Sequence, residues 1–239
     1  MPMPAARLDV ESLSAGYGPT QIIADISFCV PAGDRLAILG RNGMGKTTLL
    51  ATLMGLSTRH RGQIRIDGND LAELRPSSRS LLGVGYVPQT RGIFRSLTVE
   101  ENLSTGLKGR PRSALAEAYE MFPRLGERRR HLGLQLSGGE QQMLSMARTL
   151  LGKPSILLLD EPLEGLAPVI CDELMRTISR LAGSGEVTVI LVEQQIERAL
   201  DFADRVLVLE RGRQAWQGSS TELRSDRALV DRLLGVGIH

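Results

Sequence analysis

Nine consecutive residues, Gly40-Arg41-Asn42-Gly43-Met44-Gly45-Lys46-Thr47-Thr48, carry the spacing G-x-x-x-x-G-K-T. These residue types suit a phosphate chain. Glycines let backbone N–H groups turn inward around an anion, a lysine reaches terminal phosphates, and the next hydroxyl can ligate a divalent cation. The apolar run Leu36-Ala37-Ile38-Leu39 before the loop reads as a buried parallel strand. After it, Leu49, Leu50, Leu53 and Met54 recur at helical spacing until Gly55, a helix stop. Strand, glycine loop and helix in that order predict a nucleoside-triphosphate site, with the loop backbone and the helix dipole facing the phosphates. Lys46 is then expected on the β- and γ-phosphates and Thr47 on Mg²⁺.

Three further stretches could work on the same ligand. Ile156-Leu157-Leu158-Leu159 is a fully apolar strand ending in Asp160-Glu161-Pro162. Adjacent acids at the carboxyl end of such a strand sit where α/β sheets place their ligands, although two acids in a solvated loop read the same way when taken alone. Beside a P-loop, Asp160 is expected to hold Mg²⁺, directly or through water, and Glu161 to orient and deprotonate the attacking water. Leu136-Ser137-Gly138-Gly139-Glu140-Gln141-Gln142 opens a helix that runs to Gly152 and Pro154. Ser137 with Glu140 is a capping box. Capping alone leaves the glycine pair unexplained, because glycine weakens a helix's first turn, whereas close approach of an anion explains it. Tyr17 lies in the turn-like Ala15-Gly16-Tyr17-Gly18-Pro19 and reads either as a turn aromatic or as a platform for an adenine ring.

The elements that must position these residues follow from the pattern. Leu8–Leu13 alternates as a half-exposed strand, Ile22–Val30 is another, and Pro31-Ala32-Gly33-Asp34 turns the chain into the P-loop strand, so an antiparallel β-layer is expected ahead of it. Ile64–Gly68 reads as a short strand and turn, and Val84-Gly85-Tyr86-Val87-Pro88-Gln89 as a strand ending at Gln89. From residue 90 to about 152 helical patterns over 99–108 and 113–125, broken at Pro111 and Pro123, suggest a helical lobe inserted into the core. Arg128-Arg129-Arg130 reads as a solvated face or a docking surface. Val187–Val192 is a buried strand ending at Glu193-Gln194-Gln195, followed by helix 196–203, strand Arg205–Leu209 and the turn Glu210–Arg213. Ser220–Leu234 reads as one terminal helix, and Trp216 as packing for that region.

At 239 residues, 42% hydrophobic and 23% charged, the chain reads as one globular α/β unit. The core is expected over about 8–89 and 153–218, the helical lobe over 90–152 and a C-terminal helical segment over 219–239. A net charge of +2 makes no case for nucleic acid. Cys29 and Cys171 are too few for a disulfide framework and lack metal-ligand spacing. No apolar run approaches the roughly 20 residues that span a bilayer, and Met1–Arg7 has no signal-peptide apolar core. The expectation is a cytoplasmic protein whose membrane role, if any, runs through a partner.

Taken together, the P-loop, a glutamine at a strand end, Leu-Ser-Gly-Gly-Glu-Gln-Gln and an apolar strand with Asp-Glu-Pro resemble the ATP-binding-cassette ATPases over about residues 8–218. Gly-Tyr-Val-Pro-Gln, Leu-Thr-Val-Glu-Glu-Asn-Leu and Val-Glu-Gln are similar to the importer ATPases for branched-chain amino acids and to their urea and short-amide relatives. The resemblance implies a P-loop NTPase (RecA-like) α/β core with an antiparallel β-subdomain and an inserted helical subdomain. It also implies ATP and Mg²⁺ as ligands. ATP would be clasped in a head-to-tail dimer between Gly40–Thr48 of one subunit and Ser137, Gly138 and Gly139 of the other, with Tyr17 under the adenine. Gln89 would sense γ-phosphate and Mg²⁺ at the hinge to the helical lobe. The lobe would act on membrane permease subunits and, through them, on a solute-binding protein, which places the chain on the inner face of the cell membrane.

The sequence departs from that family pattern twice. Gln194 stands where most members have a histidine at the γ-phosphate, and the chain's histidines are His60, His131 and His239. Glutamine donates a neutral hydrogen bond but carries no proton charge, so Gln194 is a candidate catalytic contact and Glu161 should carry more of the work. Ala167 stands where many members place an aspartate. Two other classes share a P-loop: soluble mechanical ATPases, whose coiled coils, zinc cysteines or second cassette are missing here, and small-molecule kinases, which give the Ser137 segment no role. An exporter ATPase shares the whole motor.

Overall fold

The computed structural model describes residues 4–235; Met1-Pro2-Met3 of the expected N-terminus, and His239, lie outside the described residues. Strands β1 (Leu8–Tyr17) and β2 (Thr20–Val30) form a hairpin across Gly18-Pro19. The strand therefore runs on through Tyr17, where the sequence suggested a turn from Ala15. β3 (Arg35–Leu39) leads through the P-loop into α1 (Lys46–Met54). Gly55 closes that helix in the left-handed conformation, and the Leu56 N–H donates back to Ala51 O at 2.8 Å. β4 (Thr58–Ile66) starts six residues earlier than the apolar pattern indicates, because its polar first half is an exposed edge paired to β1. β5 (Asn69–Asp70) and α2 (Pro76–Leu81) follow, both too short to leave a periodic signal.

β6 (Val84–Val87) ends just before Gln89. The helical segment then comprises α3 (Val99–Ser104), α4 (Leu115–Met121), α5 (Pro123–Glu127) and α6 (Gly138–Leu151). Pro123 sits at the first position of α5, where its missing N–H costs nothing. β7 (Ile156–Asp160) is followed by α7 (Pro168–Gly183), whose buried Cys171, Leu174, Ile178 and Ala182 form one face; this helix is not among the elements expected from the sequence. β8 (Thr188–Val192), α8 (Ile196–Phe202), β9 (Arg205–Glu210) and β10 (Arg213–Ser219) complete the core. The expected single terminal helix is two, α9 (Ser220–Ser225) and α10 (Arg227–Leu234), broken at Asp226, whose carboxylate caps the second by accepting from Leu229 N–H. Trp216 lies half-buried on β10 against the main core.

Two sheets result. One is antiparallel, in the order β2-β1-β4-β5; the other runs β10-β9-β3-β8-β7-β6, parallel apart from the edge strand β10. Side chains of the parallel strands alternate between two cores. Ala37, Leu39, Leu157, Leu159, Val189 and Leu191 face the helices, while Leu36, Ile38, Leu158, Ile190, Val192 and Leu207 face the antiparallel sheet. Burial on both faces is why these strands read as continuous apolar runs. Their carboxyl ends lie along one edge, and the P-loop, Gln89, Asp160-Glu161 and Glu193-Gln194 leave the sheet there.

Candidate functional site

Adjacent register makes the site. β3 pairs with β8, β8 with β7 and β7 with β6, so the ends of four parallel strands are neighbours in space. The P-loop needs its glycines for room. Gly45 has φ +96° and a Cβ there would stand 2.6 Å from Ile23 Cγ2; a Cβ on Gly40 would stand 2.5 Å from Leu209 O. Lys46, the first residue of α1, is 4% exposed. Its ammonium donates to Gly40 O at 2.8 Å and Arg41 O at 3.1 Å and lies 3.6 Å from Glu161 Oε1.

Both acids are buried. Asp160 accepts from Thr47 Oγ1 at 3.1 Å and from the Tyr86 hydroxyl at 3.2 Å. Burial pushes the Asp160 carboxyl up from its ordinary value, and the two hydrogen bonds work against that rise. The Tyr86 phenol is pushed up strongly by burial and by Asp160, so it stays a donor. Glu161 has φ +46°, a conformation that strains a residue carrying a Cβ, and is held by donation from its own N–H to Val192 O at 2.9 Å. Its Oε2 accepts from Gln194 Nε2 at 2.5 Å and Gln89 Nε2 at 3.2 Å. Gln89 also donates to Glu164 Oε2 at 2.5 Å.

A cavity of about 320 Å³ opens onto this cluster, with Tyr17, Asn42, Lys46, Thr47, Gln89 and Gln194 among its walls. Tyr17 is 51% exposed at the cavity's edge, a ring surface free to stack. The structure thus gathers the P-loop, Tyr17, Gln89, Asp160, Glu161 and Gln194 in one place. Ser137, Gly138 and Gly139 do not line the cavity. Ser137 caps α6, with Glu140 N–H donating to its Oγ at 3.3 Å and Ser137 N–H donating to Glu140 Oε2 at 2.8 Å. Arg128 of the arginine triplet lies 3.4 Å from the same Glu140, and all three arginines are exposed. Sequence reasoning missed Tyr86 and Glu164. Tyr86 packs toward the sheet's second core, and in sequence a tyrosine within Val84–Gln89 reads as packing; Glu164 leaves no signal beyond its place after Asp-Glu-Pro.

A family model described as ABC transporter matches residues 23–164, more than half of the chain. The chain belongs to the ABC transporter family. It is 40% identical over 232 residues to the high-affinity branched-chain amino acid transport ATP-binding protein BraG of Pseudomonas aeruginosa, covering 95% of this chain and 99% of that one. It is 36% identical over 228 residues to the probable branched-chain amino acid transport ATP-binding protein LivF of Archaeoglobus fulgidus, covering 94% and 97%. Among solved structures, a bacterial Atm1-family ABC exporter with ATP bound superposes with a TM-score of 0.83 at 31% identity, over 96% of this chain and 42% of that one. The protein is an ABC-type ATPase and binds ATP.

The donor set suits the ligands this family membership brings. A buried ammonium held only by loop carbonyls and one carboxylate can exchange those contacts for phosphate oxygens. Thr47 and Asp160 offer hard oxygen donors 3.1 Å apart. Among the described residues no three His, Cys, Asp or Glu side chains form a metal cage. The pair Thr47 and Asp160 fits Mg²⁺, which typically takes one or two protein oxygens and completes its shell with phosphates and water. No described helix is long and apolar enough to cross a membrane.

Proposed function

We propose that this chain is the ATP-hydrolysing subunit of an importer for branched-chain amino acids. The observation that carries the substrate is the likeness to BraG and LivF over almost the full length of all three chains. A urea or short-amide importer uses the same motor. The likeness to an Atm1-family exporter supports a second reading, export, because the cassette does not encode direction.

In this reading the backbone N–H groups of residues 40–48 wrap the phosphates, and Lys46 turns from Gly40 O and Arg41 O to the β- and γ-phosphates. Tyr17 stacks on the adenine. Thr47 and Asp160, with Gln89, would hold Mg²⁺, which would supply charge neutralisation to the phosphates. Glu161 takes the proton of the attacking water; its strained backbone and its hydrogen bonds from Gln89 and Gln194 fix where the carboxylate stands. Gln194 gives the γ-phosphate a neutral hydrogen bond where a histidine would bring a charge.

Ser137, Gly138 and Gly139 act on a second cassette, identical or homologous, in a head-to-tail dimer. Their absence from the cavity of their own chain supports this, since a helix start can serve an anion held by another chain; within their own chain a Cβ on Gly138 would stand 3.2 Å from Arg91 and one on Gly139 3.1 Å from Ile170. Hydrolysis removes the shared anion and releases the pair. The permease has a place to sit beside Gln89. A groove of about 490 Å³ lies between the core and the helical segment, lined by Pro88, Phe94, Lys108 and Arg148, with Leu56 and Phe94 about half exposed. Such docking holds the chain peripherally on the inner membrane face, and no nucleic acid takes part.

Uptake of labelled leucine by a strain whose own copy is deleted tests the substrate. Restoration by the wild-type gene and failure by Glu161→Gln is expected. Unchanged leucine uptake in the deletion strain, with loss of urea or amide uptake, overturns the amino acid reading. Purification of the intact complex from membranes identifies the second ATPase and the permease.

A further inference from the structure

Glu164 lines the nucleotide cavity and accepts from Gln89 Nε2 at 2.5 Å, yet none of the roles assigned above uses it. Its place is set locally. Glu164 N–H donates to Glu161 O at 3.2 Å and closes a turn through Pro162 and Leu163. Leu163 is buried in the main core and anchors that turn. The carboxylate of Glu164 is thereby carried to the cavity rim beside the strained Glu161, while its own side chain stays exposed.

Gln89 is exposed as well, so packing does not orient its amide and hydrogen bonds must. Nε2 donates both to Glu164 Oε2 at 2.5 Å and to Glu161 Oε2 at 3.2 Å. An ionised carboxylate only accepts, and an amide carries its donor and its acceptor on different sides of one carbon. Two acids on one side therefore decide which way the amide faces: nitrogen toward the acids, carbonyl oxygen away from them. Glu161 alone decides it weakly, because its Oε2 already takes the shorter hydrogen bond from Gln194 Nε2 at 2.5 Å. Glu164 makes the shorter of the two contacts to Gln89. The carbonyl oxygen of Gln89 accepts no hydrogen bond among the described residues, which leaves it as the free end of the amide.

We infer that Glu164 is a positioning residue for Gln89, holding the amide so that its oxygen and not its nitrogen is offered to Mg²⁺. The inference rests on the reading that Gln89 joins Thr47 and Asp160 around the metal. Mg²⁺ is a hard cation that takes oxygen ligands, so an amide turned the other way would aim two N–H groups at a positive ion. Without Glu164 the amide is free to rotate, and part of the affinity that Mg²⁺ adds to nucleotide binding is lost. Glu164 acts through Gln89 and touches neither phosphate nor the attacking water.

Equilibrium dialysis of the full chain against the non-hydrolysable analogue AMP-PNP, with Mg²⁺ and again with EDTA, tests this without turnover. The ratio of the two Kd values is the magnesium gain. Glu164→Ala should lower the gain by roughly three- to tenfold, less than a buried charged hydrogen bond is worth because the pair is exposed. Glu164→Gln keeps an acceptor in the same place and should stay within about twofold of wild type. A pure charge effect would instead make the two variants alike. In a Gln89→Ala background, Glu164→Ala should change nothing further, since the partner it acts through is gone. A gain unchanged or raised in Glu164→Ala, equal losses in the two variants, or a further loss on top of Gln89→Ala overturns the inference and leaves Gln89 at the metal. An unchanged gain in Gln89→Ala itself removes Gln89 from the metal site and overturns both readings.

Discussion

Glu161→Gln separates catalysis from stability within one side chain. Glu161 Oε1 lies 3.6 Å from the Lys46 ammonium, and Oε2 accepts from Gln194 at 2.5 Å and from Gln89 at 3.2 Å. Glutamine has the same shape. Its carbonyl oxygen keeps the two glutamine donors, and its amide turns toward Lys46, which retains the carbonyls of Gly40 and Arg41. The lost ion pair is partly offset because one fewer charge has to be desolvated, so the net change in folding stability stays within about 2 kcal/mol. For a chain of this size that moves Tm by no more than about 4–8 °C. The amide cannot take a proton from water, however, and loss of a general base lowers kcat by roughly 10²–10⁴. At 1.36 kcal/mol per tenfold this is about 2.7–5.4 kcal/mol of transition-state stabilisation. Phosphate release under single-turnover conditions, thermal unfolding and size-exclusion chromatography with ATP make the assay. The variant should fold, bind ATP and elute as a dimer that persists because hydrolysis no longer releases it. Hydrolysis at the wild-type rate refutes Glu161 as the base; a Tm fall well beyond that range with no folded fraction shows that its role is structural instead.

Lys46→Ala removes a 4% exposed cation from between two loop carbonyls and Glu161, and nucleotide affinity should fall below detection by equilibrium dialysis; unchanged affinity takes Lys46 out of the phosphate site. Gln194→His should keep hydrolysis but add a titrating group to the site, so the rate acquires a dependence on pH near 6.5, the ordinary imidazole range, that the wild type lacks; a superimposable pH profile means that residue 194 does not touch the reacting phosphate. Asp204 is held below its usual carboxylate range, first by its hydrogen bonds with Arg35, whose Nε donates to Oδ2 at 2.9 Å and whose Nη2 donates to Oδ1 at 2.6 Å. A lowered folded value means that the stabilisation is complete above the unfolded value and disappears as pH falls through the folded one. Because Asp204 is substantially exposed, Asp204→Asn should cost no more than about 1 kcal/mol at neutral pH. The gap between the denaturant midpoints of variant and wild type should narrow as pH falls below the ordinary aspartate value of about 3.9, and a gap that does not narrow on acidification refutes the ion-pair account.

Much of the candidate nucleotide site is legible because local spacing carries it. G-x-x-x-x-G-K-T predicts its own strand and helix, and both are present as β3 and α1. The acids at 160–161 advertised themselves through the apolar strand before them, which is buried throughout. The losses have physical causes. β4 was cut short because its exposed half, Thr58–Gln63, has no apolar face to reveal it. Residues 220–234 read as one helix, but the Asp226 side chain caps and starts a second one. Tyr86 was passed over because a tyrosine in an apolar strand looks like packing until Asp160 is seen to accept its hydroxyl.

The sequence by itself determined which chemistry the chain can perform, since glycine spacing, a lysine and paired acids after an apolar strand are local facts that hold wherever the chain folds. It also determined family membership, carried by four motifs in order. Only the tertiary structure decided which groups meet. Residues 46, 89, 161 and 194 come together because four parallel strands end side by side, and strand order is set by packing over two cores rather than by neighbours in sequence. The same packing leaves Glu193 buried with an oxygen unpartnered among the described residues and brings α10 beside the P-loop. That arrangement involves residues nearly 200 positions apart, where no local periodicity can reach.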